Sequence, residues 1–362
     1  MTPNTIIRGD CLKTMNESKP GSIDLVFADP PYNIGYVYDK YRDDRTDDDY
    51  VAWCTEWMRA IHRLLTPKGA FWLAIGDEFA AELCVAAKRD VGFHLRNWVI
   101  WHYSFGQHMK RKFSRAHTHL LYFTRSDKDF TFRDLRLRFP SARHTEYQDL
   151  RANKDGRLPD DVWNDVPRLC GTFKEREGYH GCQLPEALLT RIILACSNPD
   201  EIVLDPFVGS GTTAVVAKKL GRRYIGIDMS ANYVKRVEQR VKAARQEINL
   251  PEVDPAHPPA MHREILYQIY RETNVTRDNL LANRVAMDVV AGSLSHRTGT
   301  EYTVAQVETL LRDGTLPKLA NDRAFVARNH VTDEGKKYVR TVQRMLPRKR
   351  KSRTVADTPG SA

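Results

Sequence analysis

The stretch Asp24-Leu25-Val26-Phe27-Ala28-Asp29-Pro30-Pro31-Tyr32-Asn33 joins a short apolar run to a carboxylate, two prolines, an aromatic ring and an amide. A run of that length is expected as a strand buried on both faces, as in a parallel sheet. Proline cannot donate to a strand ladder, so the chain must leave the sheet at Asp29. In open α/β sheets, ligands bind just beyond the carboxyl ends of the strands. Asp29 and Tyr32 are thereby placed where chemistry is carried out, although Asp-Pro-Pro alone also suits a plain turn.

Working outward, residues 6–12 read as a strand closed by a turn at Gly9-Asp10. Downstream, the segment 38–49 carries Asp39, Asp43, Asp44, Asp47, Asp48 and Asp49. Its spacing does not fit a calcium loop, and Arg42 and Arg45 interrupt it. It is expected as a solvated loop whose last aspartates cap the next helix. Tyr50, Trp53, Trp57, Ile61 and Leu64 recur at helical spacing, and Pro67-Lys68-Gly69 stops that helix. Strands are expected over 70–75 and 98–102, with a helix over 78–89 between them. The βαβαβ alternation argues for a doubly wound parallel sheet. His117 and His119, on an expected strand, lack a further ligand pattern, so they are read as structural or as a pocket wall and no metal is expected.

From 126 to 178 no period is sustained, and Arg133, Arg136, Arg138, Arg143, Arg151 and Arg157 alternate with Phe130, Phe132, Phe139 and Tyr147. Arginine can read guanine edges, and long irregular insertions are usually functional or disordered. This segment is expected to recognise the target. A helix over 186–196 precedes Glu201-Ile202-Val203-Leu204-Asp205-Pro206-Phe207-Val208-Gly209-Ser210-Gly211-Thr212-Thr213-Ala214, which reads as strand, glycine turn and helix start. Gly209, Gly211 and Ala214 have the spacing for close cofactor approach, and Asp228 ends the next strand where an acid can bind a ribose. A helix is expected over 231–249, a proline-rich linker over 251–259 and a helical domain over 260–346. There Thr303 and Gln306 have the form of a capping box, and a last helix is expected over 332–345.

A nicotinamide dehydrogenase would use a similar glycine turn. Here, however, Asp205-Pro206-Phe207 precedes the glycines, and the whole resembles the S-adenosylmethionine loop of the DNA amino-methyltransferases. Asp29-Pro30-Pro31-Tyr32 resembles their catalytic motif. The two motifs stand in inverted order, and joining the Asp228 strand to the Ile6 strand restores the usual succession. The chain thus resembles the β group, a circular permutation of the fold, over about residues 6–241. The implied architecture is an α/β, permuted Rossmann-like S-adenosylmethionine-dependent methyltransferase fold. It would comprise a methyltransferase domain at 1–250, a small mainly helical C-terminal domain and a disordered basic tail at 347–362. Gly181 departs from the pattern, since the family often has proline there.

The resemblance implies that Asp29, Pro30, Pro31 and Tyr32 are catalytic, Asp29 also bordering the cofactor. Asp10 would contact the cofactor's adenine and Asp228 its ribose. Asp205, Phe207, Gly209, Ser210, Gly211 and Thr212 would surround its methionine, with Gln183 alongside. The implied substrate is adenine N6 in double-stranded DNA, with cytosine N4 as the alternative acceptor. RNA, protein glutamine, dehydrogenase and non-catalytic DNA-binding readings fit less well. A cognate restriction endonuclease is a candidate partner, and the enzyme would act as a monomer or homodimer.

Composition agrees with that direction. The chain has 362 residues and a net charge of +10. Arg344, Arg348, Lys349, Arg350, Lys351 and Arg353 cluster near its end, which suits nucleic acid. Its six cysteines form no Cys-x-x-Cys pair, so a reducing, cytoplasmic setting beside the nucleoid is expected. No apolar run is long enough to span a membrane, and no secretory signal opens the chain.

Overall fold

The computed structural model describes residues 1–36, 39, 43–107, 110–111, 113–169, 175–246, 254–317 and 319. Part of the charged segment at 38–49, the start of the linker, the helix expected over 332–345 and the basic tail lie outside them. The elements in chain order are β1 (Thr5–Arg8), α1 (Cys11–Asn16), β2 (Ile23–Ala28), α2 (Asp47–Leu64), β3 (Leu65–Ile75), α3 (Ala80–Ala86), β4 (His94–Gln107) and β5 (Arg115–Thr124). There follow α4 (Ala142–Thr145), β6 (Val162–Trp163), α5 (Glu186–Cys196), β7 (Ile202–Asp205), α6 (Thr212–Lys219), β8 (Arg223–Asp228) and α7 (Ala231–Ala243). The last are α8 (Ala260–Thr273), α9 (Arg277–Leu281), α10 (Arg284–Thr298) and α11 (Val304–Asp313).

The strands form one sheet in the order β1-β8-β7-β2-β3-β5-β4-β6. β1, β8, β7, β2 and β3 are parallel neighbours. β5 is antiparallel to both β3 and β4, which corrects the expectation of a wholly parallel sheet. Only residues 108–114 join β4 to β5, too few for a crossover helix, so that connection must be a hairpin.

Alternation along β2 sends Leu25 and Phe27 to one face and Val26 and Ala28 to the other. Helices α1, α2 and α3 cover the second face, burying Tyr50, Trp57 and Ile61. On the first face lie α5 and α6, with residues of α8, α10 and α11 in the same apolar cluster. Both faces being covered explains the unbroken apolar run of β2. The described residues up to 319 belong to one compact unit. Among the described residues, no helix is long and apolar enough to cross a membrane.

Candidate active site

Because their strands are parallel, Asp10 after β1, Asp228 on β8, Asp205 on β7, Asp29 after β2 and Asp77 after β3 collect at one sheet edge. β7 and β2 lie side by side, yet the chain leaves β7 for β8 and β2 for β3, in opposite directions. Such a reversal opens a crevice above the strand ends. Here it holds a cavity of about 390 Å³.

On the β2 side, the Tyr32 hydroxyl donates to Asp29 Oδ1 at 2.7 Å. The Tyr50 hydroxyl of α2 donates to the Pro31 carbonyl at 2.6 Å, fixing the turn from beneath. Asn33 takes a left-handed φ of 57°, which asparagine tolerates. Its backbone N–H and that of Ile34 donate to Asp43 Oδ1 and Oδ2 at 2.8 and 3.0 Å. Asp43 is therefore buried and clamps the turn, rather than being solvated as expected. Nor does an aspartate cap α2: Thr46 does, and Asp47, Asp48 and Asp49 occupy the first turn. Asp29 lines the cavity, and burial pushes its carboxyl up to about 7 against the opposing Tyr32 hydrogen bond. The Tyr32 hydroxyl is itself pushed up, chiefly by burial.

On the β7–β8 side, Gly209 and Gly211 have φ of 44° and 82°. A Cβ at 209 would come within 2.9 Å of His180 Nε2, and one at 211 within 2.5 Å of Val237 Cγ1. Side chains are thus disfavoured at both positions, and the Gly209 backbone faces the cavity. Asp205 shapes this loop, accepting from Thr213 Oγ1 at 2.6 Å and from the Phe207 N–H at 3.0 Å. Asp228 accepts the Ser230 and Gly209 N–H groups at 2.8 and 3.2 Å. Burial pushes Asp205 up to about 7 and Asp228 up to about 6. Phe207 packs edge-on to Trp53 and Trp57. Asp10 caps α1 through the Lys13 N–H and borders the cavity.

All the site residues expected from sequence except Gly211 line this one cavity. Gly211 lies behind it, serving the turn. Gln183 lines it too, but its amide is committed to the Glu177 N–H and the Glu175 carbonyl. Sequence reasoning missed His180 behind Gly209, and Tyr36, whose hydroxyl would lie 2.7 Å from a Cβ at Gly181. It also missed Tyr103, Thr118 and Arg168, from β4, β5 and the insertion, which close the β2 side. None carries a local motif; only the sheet order brings them to Asp29. His117 and His119 touch each other, Nε2 to Nε2 at 3.3 Å, and Trp98 donates to His119.

The sequence model of the DNA methylase family matches residues 23–239. The type II methyltransferase M.HpaI of Haemophilus parainfluenzae is 34% identical over 65% of this chain and 73% of its own length. The DNA adenine methyltransferase YhdJ of Escherichia coli strain K12 is 34% identical over 66% of this chain and 83% of its own. Among solved structures, the cytosine-N4-specific PvuII DNA methyltransferase superposes with a TM-score of 0.53 at 18% identity. That superposition covers 75% of this chain and 93% of the other, a likeness of fold.

Proposed function

Because the chain belongs to the DNA methylase family, we propose that it transfers a methyl group from S-adenosylmethionine to the exocyclic N6 of adenine in double-stranded DNA. The observation that carries this reading is the shared cavity, in which Asp29 and Tyr32 face the glycine loop and Asp228. The 34% identity to a relative named as a DNA adenine methyltransferase supports adenine as the acceptor. We also read the fold as permuted, with β1 seated in parallel beside β8 and the glycine loop late in the chain.

The residues suit this cofactor. Gly209 lines the cavity with backbone alone, Gly211 holds the turn behind it, and the carboxylates of Asp29, Asp205 and Asp228 favour a cationic sulfonium. Asp228 and Asp10 would hold the nucleoside end; Phe207, Gly209, Ser210 and Thr212 would hold the methionine end. Asp205 and Gln183 would act behind them, shaping the loops. When bound, the cofactor supplies an electrophilic methyl group.

The remaining work falls to the β2 turn. A target base stacked in a duplex must rotate out to reach it. Tyr32 would stack on that base. Asp29 would accept one amino hydrogen at Oδ2, since Oδ1 already holds the Tyr32 hydroxyl, and the Pro30 carbonyl would accept the other. Two acceptors draw the nitrogen toward tetrahedral geometry and free its lone pair, which in the ring system is delocalised. Ionised Asp29 also stabilises the positive charge that develops on nitrogen. Positioning of this kind can contribute about 7–11 kcal/mol.

Modification-sensitive sequencing of DNA from a host expressing the wild type or Asp29→Ala tests the proposal. N6-methyladenine at a fixed motif is expected, lost in the variant while S-adenosylmethionine binding persists. N4-methylcytosine would overturn the acceptor, and unmodified DNA from folded wild type would overturn the DNA reading.

A further inference from the structure

Three arginines border the cavity: Arg45, Arg115 and Arg168. Arg115 is held by Asp77 at 2.7 Å and Glu78 at 2.6 Å. Arg45 lies over the Trp53 ring, and its backbone N–H is bound to Asn33. Arg168 forms no ion pair with a carboxylate among the described residues. Its guanidinium carbon lies 5.4 Å from the centre of the Tyr103 ring, and Tyr103 shares a hydrogen bond of 3.2 Å with Thr118.

The backbone beneath Arg168 is fixed. The Val166 carbonyl accepts from Trp101 Nε1 at 2.8 Å, Val166 is buried, and Asp165 is paired with Arg191. An exposed cation is thus carried by anchored backbone to the mouth of a site lined by Asp10, Asp29, Asp39, Asp205 and Asp228. A polyanion reaching that rim meets like charge unless a cation screens it. Asp29 and Tyr32 are half-buried in the cavity wall, whereas Arg168 is exposed, so a base would occupy the interior and its backbone the rim.

We propose that Arg168 binds a backbone phosphate of the extruded nucleotide, holding the strand at the rim while the base lies against Asp29 and Tyr32. This rests on the DNA reading above. A guanidinium fork matches phosphate oxygens two at a time, and the Tyr103 ring supports its other face.

The test uses full-length protein and a duplex oligonucleotide carrying the motif found by sequencing. Arg168→Gln should raise KM for DNA about tenfold, the loss falling on KM rather than kcat. The slope of log K against log salt should become shallower by about 0.9, one phosphate contact, and Arg168→Lys should restore it. A neutral methylphosphonate placed at either phosphate flanking the target should weaken the wild type at one position and leave Arg168→Gln indifferent there. Equal salt slopes and equal methylphosphonate sensitivity would overturn the proposal, leaving Arg168 a packing partner of Tyr103. A changed methylated base or motif with an unchanged slope would overturn it in favour of a base contact. Should Arg168→Gln lose S-adenosylmethionine affinity or thermal stability, the lysine variant and the methylphosphonate series on wild type decide. Wild type that methylates no duplex would instead mark failure of the underlying DNA reading.

Discussion

Asp29 faces opposed demands: the proposed chemistry needs its ionised form, and burial favours the neutral one. With its carboxyl pushed up to about 7, kcat/KM should rise with pH through that region as Asp29 loses its proton. Tyr32 works the other way, because its hydroxyl hydrogen bond lowers the Asp29 value. Tyr32→Phe keeps a ring for stacking but removes that bond. We expect the rising limb of its pH profile to move to higher pH, and an unmoved limb would assign the titration to another group. The same burial has a cost in stability. Asp29 and Asp205 both have folded values near 7, above the ordinary carboxylate. Their contribution is therefore fully present below about pH 4 and lost as pH rises through about 7. Urea denaturation of Asp29→Asn should show a gain in stability over wild type at about pH 8 that shrinks by about pH 5.

Among the elements, the turn between β7 and α6 depends on a single atom's absence. Gly211 has a left-handed φ of 82°, and a Cβ there would sit 2.5 Å from Val237 Cγ1. Gly211→Ala should lose about 1–2 kcal/mol from conformation and about 1–3 kcal/mol more from overpacking. Adding Val237→Ala should recover the second part only, read from denaturation midpoints. This turn was legible in the sequence because every requirement is local: apolar strand, spaced glycines, helix start. So was the β2 turn, where the prolines themselves end the ladder. The hairpin of β4 and β5 was not, since strand direction follows from the length of the connection. The clamp by Asp43 was equally hidden, because its partners Asn33 and Ile34 come from the preceding strand's turn and composition alone makes Asp43 look solvated. Within the expected helical domain, Asn283 separates α9 from α10 and caps α10 through the Ala286 N–H.

At the scale of the molecule, the insertion and the C-terminal helices meet in a buried network. Glu272 on α8 accepts from Arg191 of α5 at 2.6 Å and from Arg297 of α10 at 2.7 Å. Arg191 also pairs with Asp165 of the insertion, and Arg297 donates to the Leu137 carbonyl at 2.6 Å. Asn283 adds donations to the His144 and Thr145 carbonyls. Sequence alone suggested two unrelated segments, an arginine-rich insertion and a separate helical domain. Charges so far apart in the chain leave no periodic trace, and a buried arginine cannot be told from a surface one by composition. The Arg191, Glu272 and Arg297 side chains are only 2%, 3% and 2% accessible. Removing the shared acid leaves two buried cations undercompensated, so Glu272→Ala should destabilise by about 3–5 kcal/mol. The loss should also be uneven. β2, β3 and their covering helices α1 and α2 keep every contact, whereas the insertion loses the acid that holds Arg191 and Arg297 in place. Amide exchange in Glu272→Ala should therefore accelerate first over 137–166, ahead of β2 and β3. Uniform acceleration would mean that the network stabilises the unit as a whole and does not specifically hold the insertion.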